Sequence, residues 1–430
     1  MPEILFPKKP ETSSVGYQED FENEITKFVK KDSLLSTLTI AEITEIFNQI
    51  SKNWHSKESK VYDLFILYNL GFLIGWLKKK NINELISLSL KEPKFLDGPV
   101  KIGGKKMLAA PKGTVVHWIA GNVPLLGILS LFQGLLTKNK NIVKVPSSFK
   151  MVLPKLIENV ASQSFSIGNR NISGKVLTDA VMVVYVDKED INGQSIISRL
   201  ADVRYAWGGK EAIDAIIGLD RKIECEDVIM GPKLSLSVIS KEFLDDTDSA
   251  LEVSSKITND VFAFDQRGCN APHNIYIESG GKINIDEFGK ILKGVFQKEA
   301  KKRPLKDKLP IDTFKVLSER VLYSVSNKRD VFFDNNYDFS IFVDKENNLS
   351  SKPLFNRSIY LKNIDSIQQA PLKFPQGIQS VGVAIPDDEI DSFSNLAVKH
   401  GALRITKIGT MSVYDTPWDG LLPLNRLVRW

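Results

Sequence analysis

The stretch TVVHWIAGNVP, residues 114–124, decides the fold that this sequence predicts. Its first part, Thr114–Ile119, is dense in β-branched and aromatic residues, which is typical of a buried strand. Pro124 then opens an apolar run that ends at Leu136, and proline suits the first position of a helix. A strand that passes into a helix through a short turn is the repeating unit of a parallel α/β sheet.

The same alternation of short apolar runs and amphipathic helices continues from about Gly98. We predict further strands at Asn141–Val145, Val181–Val186, Val203–Trp207, Asp227–Met230 and Leu234–Ile239. Between the strands we predict helices at Pro124–Leu136, Ser147–Ser162, Gly193–Leu200 and Lys210–Ile217. This order gives an open, largely parallel sheet, which places ligand sites at the carboxyl ends of its strands.

The flanking segments are patterned as well. Apolar spacing of three and four residues in Ile40–Ile50 and Val61–Leu77 predicts a mostly helical region over 1–95, with a packing or oligomer-contact role. A second α/β stretch is predicted from a helix at Thr247–Phe264 and strands at Asn274–Glu278, Phe339–Val343, Ser358–Leu361 and Ser380–Ile385. The tail, residues 401–430, is rich in glycine and apolar residues and is predicted to be ordered.

Composition is that of an ordinary globular protein, with 43% hydrophobic and 25% charged residues among 430. The net charge of +5 is spread along the chain. Its densest runs, Lys78–Lys80 and Lys301–Arg303, are short and lack interleaved aromatic residues. We therefore expect solvated surfaces there and no nucleic-acid partner.

The cysteines and the hydropathy pattern indicate a cellular compartment. Cys225 and Cys269 cannot form a disulfide framework, and no CxxC or CxxH spacing indicates a metal site. Met1–Pro10 lacks the apolar core of a signal peptide. The longest apolar run, Val123–Leu136, is too short to span a bilayer. The sequence predicts a cytoplasmic protein with reduced thiols and no integral membrane segment.

Two turns after predicted strands carry polar candidates, although neither a GxGxxG nor a GxxxxGK[ST] motif occurs. Asn122 can cap the helix that follows it, which this turn alone favours, or its amide can donate to a developing oxyanion. Lys144 ends a buried strand, where its charge must reach a partner or water. Ser147 and Ser148 can cap the next helix or bind a ribose or phosphate beside Lys144.

The third turn, Gly208-Gly209, follows the strand Val203–Trp207 directly. Paired glycines at a helix start let a ligand approach the backbone, with N–H groups aimed at an anion. A plain tight turn explains them almost as well. Each of the three turns is weak by itself, and their order along the chain is more specific.

The stretch DQRGCNAPH, residues 265–273, places Arg267 before Cys269 and His273 after it. Nearby positive charge lowers the pKa of a cysteine from about 8.5 and raises the fraction of nucleophilic thiolate. A small buried hydrophobe is the alternative interpretation. For His273 a structural role is favoured over acid/base chemistry. Cys225 stands between two glutamates, which disfavours a thiolate, so we expect it to be structural.

The three turns followed by Cys269 resemble the aldehyde dehydrogenase superfamily, and within it the acyl-CoA reductase family of the bacterial bioluminescence fatty-acid reductases. The resemblance covers about residues 98–430 and includes the closing PWDG and LVRW of residues 417–420 and 427–430. It implies an α/β, aldehyde-dehydrogenase-like fold. The implied parts are a helical N-terminal region (1–95) packing on a Rossmann-like cofactor domain (96–240), a catalytic domain with a nucleophilic cysteine (241–400) and a C-terminal segment (401–430).

The resemblance also implies the site residues. Cys269 would be the nucleophile and Asn122 the oxyanion donor. The cofactor-binding residues would be Ala120, Lys144, Ser147, Gly208, Gly209 and Gly231. A neutral Ser147 beside Lys144, where relatives that prefer NAD often carry a glutamate, favours NADPH over NADH.

Two departures from the superfamily pattern refine the expected activity. Oxidising members carry a glutamate that activates water in a segment that here reads IMGPK, residues 229–233, without a carboxylate. Without that base, hydrolysis to an acid should be slow. The usual Glu-Phe-Gly-Pro motif, which holds the nicotinamide ribose, is not recognisable in the sequence.

These residues predict NADPH-dependent reduction of a long-chain fatty acyl-CoA or acyl-protein thioester to the aldehyde, through a Cys269 thioacyl enzyme. The alternatives are a CoA-acylating aldehyde dehydrogenase running in the oxidative direction and a non-catalytic subunit of an acyl-transfer complex. By analogy with the family, we expect a homo-oligomer and allow an acyl-protein synthetase as a partner.

Overall fold

The computed structural model describes residues 2–7, 17–305, 308–326, 329–345 and 353–430, and predictions that fall on other positions lie outside the described residues. Contacts divide the chain into two units. Unit 1 comprises Met1–Pro232 with Tyr414–Trp430, and unit 2 comprises Lys233–Val413. The domain roles assigned above to 1–95, 96–240, 241–400 and 401–430 remain predictions.

Unit 1 is built on a mostly parallel six-stranded sheet, with three separate two-stranded pairs. The strands of unit 1 are β1 (Glu3–Phe6), β2 (Val100–Ile102), β3 (Lys105–Met107), β4 (Ala110–Pro111), β5 (Thr114–Trp118), β6 (Lys140–Lys144), β7 (Ser164–Ile167), β8 (Arg170–Ser173), β9 (Val181–Tyr185), β10 (Val203–Trp207), β11 (Glu226–Met230) and β19 (Val428–Arg429). The main sheet has the order β1-β9-β6-β5-β10-β11. Its pairs are parallel except β1 with β9.

The helices of unit 1 are α1 (Tyr17–Lys30), α2 (Ile40–His55), α3 (Tyr62–Leu67), α4 (Gly71–Trp76), α5 (Lys79–Leu90), α6 (Pro124–Leu136), α7 (Val152–Ala161), α8 (Lys175–Thr178), α9 (Ile191–Leu200), α10 (Lys210–Ile217) and α15 (Pro423–Arg426). The chain runs from β5 through β6 to β9 on one side and then crosses back to β10 and β11. The switch point of this doubly wound sheet therefore lies between β5 and β10, where such sheets bind ligands.

Two stretches with a helical apolar pattern are interrupted. The predicted helix Ser147–Ser162 is a short 3-10 turn, Ser147–Phe149, followed by α7. Pro154 fits only the first turn of a helix, because its ring would clash with a carbonyl one turn earlier. The stretch Val61–Leu77, which lies in the region predicted to be mostly helical, contains two helices, α3 and α4, separated at Asn69, which has the left-handed φ of 52° that ends helices.

The C-terminal tail is an ordered part of unit 1 from Tyr414 onward. The Tyr414 hydroxyl accepts a hydrogen bond from Gln133 Nε2 at 2.8 Å in the buried interior of unit 1. Asn139 Nδ2 donates to the Leu427 carbonyl at 2.9 Å, and β19 pairs with β4. The prediction of an ordered tail is confirmed over these residues.

Unit 2 contains a second sheet, which is parallel except at one edge. Its strands are β12 (Leu234–Ile239), β13 (Pro272–Glu278), β14 (Arg329–Phe333), β15 (Ser340–Asp344), β16 (Ser358–Ile364), β17 (Ile378–Ala384) and β18 (Arg404–Lys407), in the order β14-β15-β16-β13-β12-β17-β18. The helices of unit 2 are α11 (Thr247–Phe262), α12 (Ile285–Lys302), α13 (Pro310–Ser324) and α14 (Ile390–Lys399).

The apolar core of unit 2 packs against β13. Ile257 of α11 and Phe296 of α12 pack with Ile275 of β13 in one buried apolar cluster. Across the described ranges, no helix of the chain combines the length and the apolar character needed to cross a bilayer.

Candidate active site

The turns that follow β5, β6, β10 and β11 share one edge of the unit 1 sheet. Trp118 at the end of β5 is in register with Lys144 of β6 and Ala206 of β10. A Cβ atom added to Gly121 would lie 3.8 Å from Pro146 Cβ, so the first two turns are in contact. The Gly208 N–H donates to the Met230 carbonyl at 3.3 Å, which joins the third turn to the end of β11. The six predicted cofactor residues thus lie along the carboxyl edge of one sheet.

Asn122 does not cap α6, so the interpretation that the turn alone favoured is wrong. The N-cap position belongs to Val123, which makes no side-chain capping bond. Pro124 occupies the first helical position, which places the cap at the residue directly before it and leaves Asn122 one position too early. The Asn122 residue is exposed. Its role as oxyanion donor remains a proposal.

The capping interpretation of Ser147 and Ser148 is also wrong. The cap of the 3-10 turn is Pro146, and the cap position of α7 is Met151, with no side-chain bond at either. Both serines are exposed at the end of β6.

Lys144 is half-buried at the same strand end, and its charge interacts with the carboxylate of Asp187. Burial lowers the pKa of the Lys144 ammonium, while the nearby Asp187 carboxylate favours the charged form. Asp187 follows β9, the strand that pairs with β6. It accepts hydrogen bonds from the Tyr185 hydroxyl and the Glu189 N–H, both at 3.0 Å, which lower the pKa of its carboxyl.

Asp187 was missed by the sequence reasoning, although a signal for it existed. It lies two residues beyond the end of β9, and ligand sites of parallel sheets collect at strand ends. A carboxylate near Lys144 opposes the binding of a phosphate, so it counts against the NADPH preference that Lys144 and Ser147 indicate.

The glycine turn leaves the start of α10 open. Gly209 is the N-cap of α10 with extended backbone angles and no side-chain capping bond. A Cβ atom at Gly209 would meet nothing within 4 Å, whereas one at Gly208 would lie 3.1 Å from Ala212 Cβ. The helix start can therefore be approached closely by an anionic group.

Cys269 lies in unit 2, in the loop that leads into β13, and is half-buried. Its carbonyl accepts a hydrogen bond from Ser235 Oγ at 2.7 Å, and Ser235 in turn accepts from the Ser380 N–H at 3.2 Å. Two neighbouring strands, β12 and β17, thereby fix the backbone of the candidate nucleophile. Ser235 was not identified from the sequence, where it is one of many serines.

A second set of bonds fixes the residue after the thiol. Asn270 Nδ2 donates to the Met411 carbonyl at 2.8 Å. The buried Asp260 carboxylate accepts from the Gly409 N–H at 2.5 Å and the Met411 N–H at 2.9 Å. Burial nevertheless raises the pKa of Asp260 to about 7, because desolvation outweighs these donors. A chain of bonds from α11 through the 409–411 loop thus ends beside Cys269.

The positive charge of Arg267, two residues before Cys269, lies close to a carboxylate. Its Nη1 atom lies 3.7 Å from Asp312 Oδ2 of α13, and the Asp312 residue is buried. The carboxylate offsets part of the positive field that the sequence placed before Cys269.

The two secondary candidates behave as structural residues. His273 is buried, packs edge to face on Phe355 with the ring centres 5.4 Å apart, and burial lowers its pKa to about 4, so it is neutral near pH 7. Cys225 is buried in an apolar cluster, and desolvation raises the pKa of its thiol. The structural role predicted for Cys225 is consistent with both observations.

Solved structures of aldehyde dehydrogenases resemble the fold of this chain. A succinic semialdehyde dehydrogenase from Streptococcus pyogenes, solved in complex with NADP+, has a TM-score of 0.59 at 12% identity, covering 96% of this chain and 92% of that one. An NAD+ complex of an aldehyde dehydrogenase from Bacillus cereus has a TM-score of 0.58 at 13% identity, covering 96% and 88%. At such identities the likeness defines the fold class: aldehyde-dehydrogenase-like α/β.

The sequence defines the family within that class. Residues 35–430 match the family described as Acyl-CoA reductase (LuxC), and the chain belongs to this family of reductases. The chain is 24% identical over 421 residues to the long-chain acyl-protein thioester reductase 2 of Photobacterium leiognathi. The aligned region covers 91% of this chain and 82% of that relative. The resemblance inferred from the turns, Cys269 and the tail is confirmed.

Proposed function

We propose that this protein reduces a long-chain acyl thioester to the aldehyde with NADPH, through a thioacyl intermediate on Cys269. The observation that carries the proposal is the structure of the Cys269 loop (residues 264–272) in a chain of the acyl-CoA reductase family. Cys269 is half-buried there, its backbone carbonyl accepts a hydrogen bond, and the side chain of the following residue, Asn270, donates one. A nucleophile must be held in one geometry to attack efficiently.

In the proposed reaction the Cys269 thiolate attacks the thioester carbonyl. The Asn122 amide and the Cys269 backbone N–H stabilise the oxyanion. The carbon–sulfur bond to the donor then breaks, and the donor leaves as a thiolate that takes up a proton. When bound, the nicotinamide cofactor supplies the hydride. The hemithioacetal on Cys269 collapses to release the aldehyde and restore the thiolate.

The absence of a carboxylate in residues 229–233 supports reduction over hydrolysis. In this segment β11 ends at Met230, and Gly231 and Pro232 follow it. The segment supplies no carboxylate to activate water, so a thioacyl enzyme should persist until hydride arrives.

The residues at the edge of the unit 1 sheet fit a nicotinamide dinucleotide. The open start of α10 at Gly209 suits a pyrophosphate, and Lys144 and Ser147 suit the adenosine ribose with a 2′-phosphate. We propose NADPH on these grounds, with Asp187 as the group that limits the preference.

The proposal is tested by intact-mass analysis of the full chain. Long-chain acyl-CoA without cofactor should add one acyl group, which then disappears with the appearance of aldehyde when NADPH or NADH is added. A second arm replaces the CoA thioester with an acylated protein and so separates the two donors. Cys269→Ser should form no adduct, and Cys225→Ser, at a buried thiol, is the matched control. A wild type without adduct, or an undiminished adduct in Cys269→Ser, would contradict the mechanism.

A further inference from the structure

The approach to Cys269 contains an unusual backbone conformation. Phe264, Asp265 and Gln266 have φ angles of 50°, 53° and 62°. A second left-handed segment, residues 355–357, has φ angles of 59°, 50° and 55° and leads into β16. Non-glycine residues rarely adopt such angles, and consecutive ones persist only where the surroundings hold them.

The Gln266 side chain joins the two left-handed segments. Gln266 is 0% exposed, and its Nε2 atom donates to the Ser358 carbonyl at 2.8 Å. Its Oε1 atom accepts from the Ser358 N–H at 2.8 Å. The same Nε2 atom donates to the Pro272 carbonyl at 2.9 Å, which closes a loop from residue 266 to residue 272 around Cys269. The amide therefore fixes both ends of the loop that carries the thiol.

The Arg357 side chain makes the second link. Arg357 is 2% exposed and donates from Nε to Asp265 Oδ1 at 3.0 Å, with Nη2 bonded to the same oxygen. Its Nη1 atom donates to the Arg303 carbonyl at 2.6 Å, and its guanidinium lies 4.2 Å from the centre of the Phe262 ring. A planar, forked donor suits this set of contacts, and the single ammonium of a lysine could make only part of it.

We propose that Gln266 and Arg357 are positioning residues, which lock the left-handed segments 264–266 and 355–357 together and so hold Cys269 in the geometry that accepts an acyl group. Neither side chain needs to touch the substrate. This inference rests on the proposed function for its catalytic part, while the fixing of the loop is measurable without any reaction.

The experiment compares Gln266→Met and Arg357→Lys with the wild type in the full chain. Gln266→Met keeps the length of the side chain and removes its three hydrogen bonds, and Arg357→Lys keeps the charge and removes the fork. The matched control is Arg320→Lys. Arg320 is also buried in unit 2, bonds the Phe339 carbonyl and lies over an aromatic ring, but its side-chain partners lie within residues 333–340, outside segments 264–272 and 355–357.

Two quantities are measured well below the melting temperature of each variant. Hydrogen exchange, followed by mass spectrometry of a peptide spanning 264–272, reports the order of the loop, and we expect faster exchange in both test variants only. The rate of Cys269 acylation by a long-chain acyl-CoA should fall at least about tenfold, since displacing a reacting group by about 1 Å can cost about a hundredfold. Arg320→Lys should lower the melting temperature and leave both quantities within about twofold.

The outcomes separate the two proposals. Unchanged exchange in the loop, or faster exchange with an unchanged acylation rate, overturns the positioning role. A wild type that never forms an adduct, combined with faster exchange in the variants, overturns the proposed function while the fixing of the loop stands. If Gln266→Met fails to fold, Arg357→Lys carries both measurements.

Discussion

Replacing Gly268 by alanine should misplace the candidate nucleophile. A Cβ atom there would lie 2.4 Å from Asn270 Oδ1, where ordinary contacts begin near 3.4 Å, so the amide must move by about 1 Å. The Asn270 side chain cannot move freely, because its Nδ2 atom holds the Met411 carbonyl at 2.8 Å. Moving the amide by that distance breaks the bond and destabilises unit 2 by about 1–3 kcal/mol. If the backbone at Cys269 shifts instead, acylation should slow by up to about a hundredfold.

The matched control is Gly294→Ala in α12, where an added Cβ meets nothing within 4 Å. This change should be neutral or stabilise the chain by up to about 1 kcal/mol. Urea denaturation and the rate of acyl-adduct formation measure the two effects. In an Asn270→Ala background, Gly268→Ala should lose most of its cost, because the clashing amide is gone. An equal cost in both backgrounds, or no cost in either, would refute the steric reasoning.

Three further predictions concern other parts of the molecule. Lys144→Met should raise the KM for NADPH about tenfold or more and change the KM for NADH little. Asp187→Asn should shift the cofactor preference several-fold toward NADPH, because a negative charge near the phosphate site is removed. Steady-state kinetics with each cofactor measures both effects. Asn122→Ala should slow acylation about 10²- to 10³-fold in single-turnover mass spectra, with Cys269 alkylation by iodoacetamide unchanged as the control. The pKa of His273 is lowered from 6.5 to about 4, so the unfolded chain binds more protons and stability is lost as the pH falls between these values. Between pH 7 and pH 5, His273→Leu should therefore lose about 2 kcal/mol less than the wild type in urea denaturation.

Much of the fold could be predicted from apolar patterning, because buried parallel strands and the helices that cover them are specified locally. Thr114–Ile119, Val203–Trp207 and Leu234–Ile239 were found within a residue of their observed ends. The helix boundaries that were predicted wrongly have local causes, which the spacing of apolar residues does not reveal. Pro154 restarts a helix and Asn69 ends one, although the apolar spacing continues past both.

The candidate site was predictable only where the rule for parallel sheets applies. Residues after β5, β6 and β10 could be found because strand ends collect at one edge, and the same rule should have identified Asp187. The surroundings of Cys269 follow no such rule. Gln266 and Ser358 are separated by 92 residues, and nothing in the sequence indicates that this amide meets that backbone. The capping role of Asn122 was predicted wrongly, because a shift of one position along the chain decides whether a side chain can cap a helix.

The Cys269 loop achieves its fixed shape with side chains where glycine would have been less strained. Each left-handed non-glycine residue costs about 1–2 kcal/mol, so Phe264, Asp265 and Gln266 together cost roughly 3–6 kcal/mol. The three buried bonds of Gln266 offset about 1.5–4.5 kcal/mol, and the charge-assisted link from Arg357 about 1.5–3 kcal/mol. The two sums are nearly equal, so the loop depends on a few specific bonds. Glycines would remove the strain but would also give the unfolded chain and the loop more freedom. A substitution at Gln266 or Arg357 should therefore change the geometry of the thiol more than the stability of the protein.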